Sequence, residues 1–151
     1  MSPDTTLTLI KNQGRRMTKQ RRAILEVLRS TDRHPDAYWI YETVRQKIPN
    51  VSLGTIYRTL KVLCDAGLAR ELNYGDQLSR YDGNVSLHGH VTCLRCGRIA
   101  DVRIPPDGDF TQVAEQDSGF RIKAFRVEFE GLCPECRSAE PDQPLRSSEG
   151  G

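Results

Sequence analysis

The sequence predicts an α+β chain, with an N-terminal winged helix-turn-helix followed by a smaller α/β domain built around a four-cysteine zinc site. Three observations predict it. Three stretches of helical apolar spacing precede two short extended runs, which is the element order of a winged helix. Two Cys-x-x-Cys pairs, Cys93/Cys96 and Cys133/Cys136, sit in the second part. Charge is also split: residues 1–80 carry 14 Lys/Arg against 8 Asp/Glu, and residues 81–151 carry 8 against 12. A basic half facing a polyanion and an acidic half with another task would produce that asymmetry.

In chain order, residues 1–10 have no clear periodicity and are expected to be flexible. Residues 11–22, KNQGRRMTKQRR, hold six basic residues and no acid. Thr18 is placed to cap a first helix, with Met17 as a staple and Ile24, Val27 and Leu28 on its packed face. A second helix reads from Asp36 through Lys47, with Ala37, Ile40, Tyr41 and Val44 on one side and Pro49 ending it. Ser52 caps the third, whose stripe is Leu53, Ile56, Leu60 and Leu63, and Gly67 supplies a left-handed stop. Then LARELNY and LSRYD, joined by a turn at Gly75-Asp76, make a hairpin. The domain so defined spans residues 1–82, and GNVSL at 83–87 is a polar hinge. Residues 88–137 form the second domain, with strands in VTCL, RIADVRI and RIKAFRVEFEGL and one helix across Asp109–Asp117. Residues 138–151 lack periodicity and are expected to be a disordered tail.

The chain of 151 residues allows one or two small domains, and 37% hydrophobic residues allow only a modest core. It contains no apolar run near eighteen residues, which excludes a transmembrane helix. The N-terminus lacks the basic-then-apolar order of a secretory signal, so the expected location is the cytoplasm.

In that compartment paired cysteines favour metal ligation over disulfide or redox chemistry, the alternative reading. Four thiolates in two knuckles close a tetrahedral zinc site with no open position. The 36 residues between the pairs mean that such a site ties the start of the domain to its end. Cys64, on the packed side of a helix, reads as a small buried hydrophobe.

The three histidines are His34, His88 and His90. His88-x-His90 in a strand puts both rings on one face, and Asp82 and Asp101 bracket them. The set His34, Asp82, His88, His90 and Asp101 offers nitrogen and carboxylate donors without a thiolate, which suits Fe(II) or Mn(II) better than closed zinc. Surface or capping roles are the plain alternative, above all for His34, which lies far upstream. On the third helix Thr55, Tyr57 and Arg58 lie off the buried stripe near the N-terminus, the end of a recognition helix that enters the major groove. Arg58 can read guanine bidentately and Tyr57 can meet a phosphate or a thymine methyl. Arg15, Arg16, Lys19, Arg21 and Arg22 would neutralise phosphates. A solvated basic face is the alternative there.

VSLGTIYRTLKVLCDAGL with SRYD, then HGHVTCLRCGRIADV and a closing CPEC, resembles the ferric uptake regulator family across residues 10–137. The resemblance implies a homodimeric, metal-dependent repressor bound to a double-stranded DNA operator, with a C-terminal α/β dimerisation domain. It implies a regulatory Fe(II) or Mn(II) on His34, Asp82, His88, His90 and Asp101, one per subunit. It also implies a structural zinc on Cys93, Cys96, Cys133 and Cys136, again one per subunit. Aspartate at both carboxylate positions resembles the peroxide-sensing branch, in which bound Fe(II) reacts with hydrogen peroxide and a ligand histidine is oxidised; His34 and His88 are the expected targets. The His-rich run that builds an additional site in some relatives is absent from LHGH. A metal recruiting all five residues would pin the two halves in one orientation, and oxidation would release it. A reversible iron- or manganese-responsive repressor of metal uptake is the alternative. A non-haem iron enzyme is disfavoured, because the sequence offers no nucleophile with an adjacent base and a basic winged domain has no place in it. A zinc-stabilised interaction module leaves that basic half equally unexplained.

Overall fold

Capping residues set the helix starts in the first of two compact units, Met1–Leu87 and His88–Gly151. A computed structural model describes residues 2–73, 78–105 and 109–139. The start of the chain corrects the sequence reading, because α1 (Pro3–Asn12) is a helix and not a flexible lead. Its reasons are local: Ser2 caps it, Pro3 fills a first-turn position where no amide is needed, and Asp4 complements the helix dipole. Ile10 then docks, fully buried, into the core.

In α2 (Lys19–Arg29) the Thr18 hydroxyl accepts from the Arg21 amide at 3.2 Å. In α3 (Ala37–Val44) the Asp36 carboxylate accepts from the Trp39 amide at 2.8 Å. This helix ends at Val44, short of the expected Lys47, and single turns carry the chain on to Pro49. Ser52 caps α4 (Leu53–Asp65) through the Thr55 amide at 3.1 Å. Leu53 is 37% exposed and leaves the predicted stripe, since it sits in the capped first turn. Gly67, at φ +72°, stops α4 with paired bonds from Gly67 N to Cys64 O and Leu68 N to Leu63 O. Ile24, Leu28, Ile40, Ile56, Leu60 and Leu63 form the centre of the core. Each fully buried aliphatic contributes about 1.5–3 kcal/mol.

β1 (Arg70–Leu72) and β2 (Arg80–Asp82) pair antiparallel, Arg70 opposite Asp82. The predicted turn at Gly75-Asp76 lies outside the described residues. The chain before α3 joins this hairpin: the Tyr81 amide donates to the Pro35 carbonyl at 2.9 Å, and Asp36 bridges to Arg80.

The second unit holds β3 (Gly89–Cys93), β4 (Ile99–Val102), α5 (Phe110–Ser118), β5 (Glu128–Gly131) and the one-turn α6 (Pro134–Arg137). Its sheet runs β4-β3-β5, with β3 antiparallel to β4 and parallel to β5. The strand expected over 121–132 is shorter than predicted: residues 121–127 lie outside any strand and pairing begins at Glu128. Cys93 and Ile99 are its buried apolar residues, while α5 buries none among those described. Phe110, Val113, Phe120 and Phe129 are exposed, so an apolar surface is left on this unit. The tail expected over 138–151 falls outside the described residues from 140 onward. No helix among the described residues is long and apolar enough to cross a membrane.

Candidate metal centres and nucleic-acid interface

Two backbone knuckles build the sulfur cluster. The first turns after β3, with the Gly97 amide donating to the Cys93 carbonyl at 2.9 Å and Gly97 at φ +73°. The second starts α6 at Pro134, between Cys133 and Cys136. Parallel pairing of β3 with β5 brings the two together, Cys93 opposite Gly131. The four Sγ atoms lie within 4.8 Å of one another, and Cys96 and Cys133 are 3.7 Å apart. Tetrahedral zinc at about 2.3 Å from each sulfur requires sulfurs about 3.8 Å apart. The donor set therefore fits the ion.

The protonation chemistry agrees. Amides of Cys96 and Cys133 donate toward the Cys93 sulfur and pull its pKa down to about 6. Cys136, facing the Cys133 sulfur and then burial, is pushed up to about 12. Four thiols in this space resist joint ionisation, and a divalent cation removes that conflict. Residues not foreseen from the sequence brace the knuckles: Arg98 holds both Glu135 oxygens at 3.1–3.2 Å, and Arg95 donates to the Cys136 carbonyl at 3.4 Å. Cys64 is half-buried against the first unit's core, and burial, then Glu71 and Asp65, push its thiol up to about 11.

The nitrogen and oxygen donors form one group in each unit. In the first, His34 Nε2 lies 3.9 Å from Asp82 Oδ2, both buried. The strand-like pairing of Pro35 with Tyr81 puts them side by side, and Arg80 donates to the His34 carbonyl at 3.2 Å. His34 has φ +50°, the one positive value outside glycine among the described residues. A non-glycine residue in this region costs about 1–2 kcal/mol, a strain typical of functional positions.

In the second unit the expected shared face of His88 and His90 is present: their Nε2 atoms are 3.1 Å apart. Asp101 Oδ1 lies 3.4 Å from His88 Nε2 and 3.7 Å from His90 Nε2. Register explains the convergence, because Asp101 stands directly opposite His90 on β4. Three lone-pair donors meeting at one point, two of them buried imidazoles, suit a borderline divalent cation. Sequence reasoning missed Glu128, whose Oε1 lies 3.8 Å from His90 Nδ1. Its place depends on the β3–β5 register, which no local pattern encodes.

The polar end of α4 has Tyr57 and Arg58 exposed and Thr55 partly so. Arg58 donates to the Thr55 hydroxyl at 3.2 Å, which in turn lies 2.9 Å from the Ser52 hydroxyl. Arg15, Arg16, Lys19 and Arg22 are exposed, and Arg21 reaches back to the Arg16 carbonyl. The first turn of α2 contains no acid, so its basic residues oppose the helix dipole. Such a placement suits a polyanion better than it suits the isolated helix.

The profile of the ferric uptake regulator family matches residues 12–130. The chain is similar to the peroxide operon regulator of Bacillus subtilis, 41% identical over 134 residues, 89% of this chain and 92% of that protein. It is similar at 39% identity to the peroxide-responsive repressor PerR of Staphylococcus saprophyticus, covering 89% and 90% of the two chains. Among solved structures, the peroxide stress regulator of Campylobacter jejuni matches with a TM-score of 0.71 at 27% identity, over 90% of this chain and all 100% of that one.

Proposed function

Because the chain belongs to the ferric uptake regulator family, we propose that it is a metal-dependent, DNA-binding transcriptional repressor that senses peroxide. The observation that carries this reading is the thiolate-free donor set, His34 with Asp82 and His88 with His90 and Asp101, on a chain that also bears a winged helix. Its carboxylates are aspartates at both positions. His34, Asp82, His88, His90 and Asp101 would hold one regulatory Fe(II) or Mn(II) per subunit, and Cys93, Cys96, Cys133 and Cys136 would hold one zinc per subunit. Fe(II) held at the first of these sites would supply the chemistry by which peroxide becomes an oxidant of the ligand side chains, with His34 and His88 as the targets.

An ion held by residues from both sides of the 83–87 hinge would restrict how the winged helix is presented to DNA. Two winged helices of a cytoplasmic homodimer then meet successive major grooves of one operator. The dimer face draws on the exposed apolar side chains of α5 and β5, Phe110, Val113 and Phe129. In each winged helix Thr55, Tyr57 and Arg58 read bases while Arg15, Arg16 and Lys19 meet phosphates. The protein is a regulator and not an enzyme, because the oxidation consumes its own ligand.

The test is duplex binding by fluorescence anisotropy on sites selected from a randomised pool. The expected result is binding that needs Mn(II) or Fe(II) and weakens about 0.9 decades per released phosphate contact for each decade of salt. Binding that ignores both metals, or multiple turnovers of peroxide per site, would refute the proposal.

A further inference from the structure

One face of the second unit's sheet carries a row of three titratable side chains. Asp101 on β4 and Glu128 on β5 both stand in register with His90 on the central strand β3. Paired residues of neighbouring strands point to the same face, so the His90 ring lies between two carboxylates. The two meet different nitrogens: Asp101 Oδ1 lies 3.7 Å from Nε2, and Glu128 Oε1 lies 3.8 Å from Nδ1. His88 Nε2 joins on the Nε2 side, at 3.1 Å. The imidazole thus has one edge toward the proposed metal ligands and the other toward Glu128.

Close backbone packing fixes this arrangement. The His90 amide donates to the Val127 carbonyl at 3.1 Å, one residue before Glu128. At Gly89 an added Cβ would lie 2.9 Å from that same carbonyl, so only glycine lets β5 approach β3 this closely. His90 is buried, whereas Glu128 is about one-third exposed on the neighbouring strand.

We propose that Glu128 is a positioning residue for the regulatory metal: it accepts the Nδ1 proton of His90 and thereby leaves Nε2 as the free donor. A histidine ligates through one nitrogen only when the proton is held on the other, and a carboxylate there both fixes the tautomer and makes the ligand more basic. Glu128 does not ligate the ion itself. This inference rests on the regulatory-metal reading of His90.

Three full-length variants, each with its structural zinc retained, separate the possibilities: Glu128→Ala, Glu128→Gln and His90→Ala. Mn(II) affinity is measured from free Mn(II) by electron paramagnetic resonance. The His90 tautomer is read from long-range 15N–1H spectra of protein without Mn(II). For E128A the expected loss is about tenfold, the lower end of the range for such partners because Glu128 is partly exposed. The tautomer should move away from Nδ1–H. E128Q, which keeps an acceptor oxygen, should retain the tautomer and recover part of the affinity. Unchanged affinity and tautomer in E128A, with affinity lost in H90A, would overturn this inference alone. A loss in E128A as complete as in H90A would make Glu128 a ligand and overturn it too. Normal Mn(II) binding in H90A would instead overturn the regulatory-metal reading on which it depends.

Discussion

Replacing His34 by alanine and, separately, by glycine divides two roles that this residue combines. Its Nε2 lies beside Asp82, and its backbone holds φ +50°. Both variants remove the proposed ligand, so both should lose the stabilisation that Mn(II) gives the full chain. At Mn(II) one hundred times its Kd that stabilisation is about 2.7 kcal/mol for the wild type, or about 5–10 °C in melting temperature for a chain of this size. Without Mn(II) the two variants should differ from each other. Alanine keeps the left-handed strain of about 1–2 kcal/mol, whereas glycine removes it and gives back about 0.5–1 kcal/mol in backbone entropy. The glycine variant should therefore be more stable by about 0.5–1 kcal/mol. Thermal melts followed by circular dichroism, with and without Mn(II) and always with zinc, read both effects. A full Mn(II) shift in His34→Ala would refute the ligand role, and equal metal-free stability of the two variants would refute the strain.

Cys133→Ser should release zinc and unfold the second unit while the first stays helical, because the apolar core is concentrated in α1–α4; zinc analysis beside circular dichroism checks this. Cys64, with its thiol raised to about 11, should react with iodoacetamide at pH 8 about a hundredfold more slowly than an exposed cysteine, and faster in proportion as pH rises toward that value. Labelling followed by peptide mass spectrometry measures it, and fast labelling in the folded protein would contradict the burial. Arg58→Ala should cost about 1–3 kcal/mol of operator binding and relax preference at one base pair, with Mn(II) affinity unchanged. Uniform weakening across sequences would make Arg58 a phosphate contact.

Much of this organisation is written in local signals. Thr18, Asp36 and Ser52 each cap the helix that follows, and Gly67 ends α4 in the left-handed bend its position suggests. The Cys-x-x-Cys spacing and His88-x-His90 likewise encode short-range geometry that the fold preserves. What the sequence hid depends on tertiary partners. The helix over Pro3–Asn12 has a cap and a first-turn proline, but its weak apolar pattern becomes decisive only when Ile10 meets the core. Leu53 keeps the spacing of the stripe and is nonetheless exposed, because periodicity cannot tell where packing stops. Glu128 and the Arg98–Glu135 pair depend on strand register and on the meeting of segments far apart in the chain.

In the proposed function, peroxide is registered by oxidation of the protein's own metal ligands. Peptide mass spectrometry of protein loaded with Fe(II) or with Mn(II), exposed to low hydrogen peroxide and assayed in parallel for DNA binding, tests it most directly. One added oxygen on the peptides containing His34 and His88, with iron and not with manganese and together with lost DNA binding, is the predicted result. Intact histidines under both metals, with DNA binding that follows metal supply alone, would contradict it and make the protein a reversible sensor of iron or manganese.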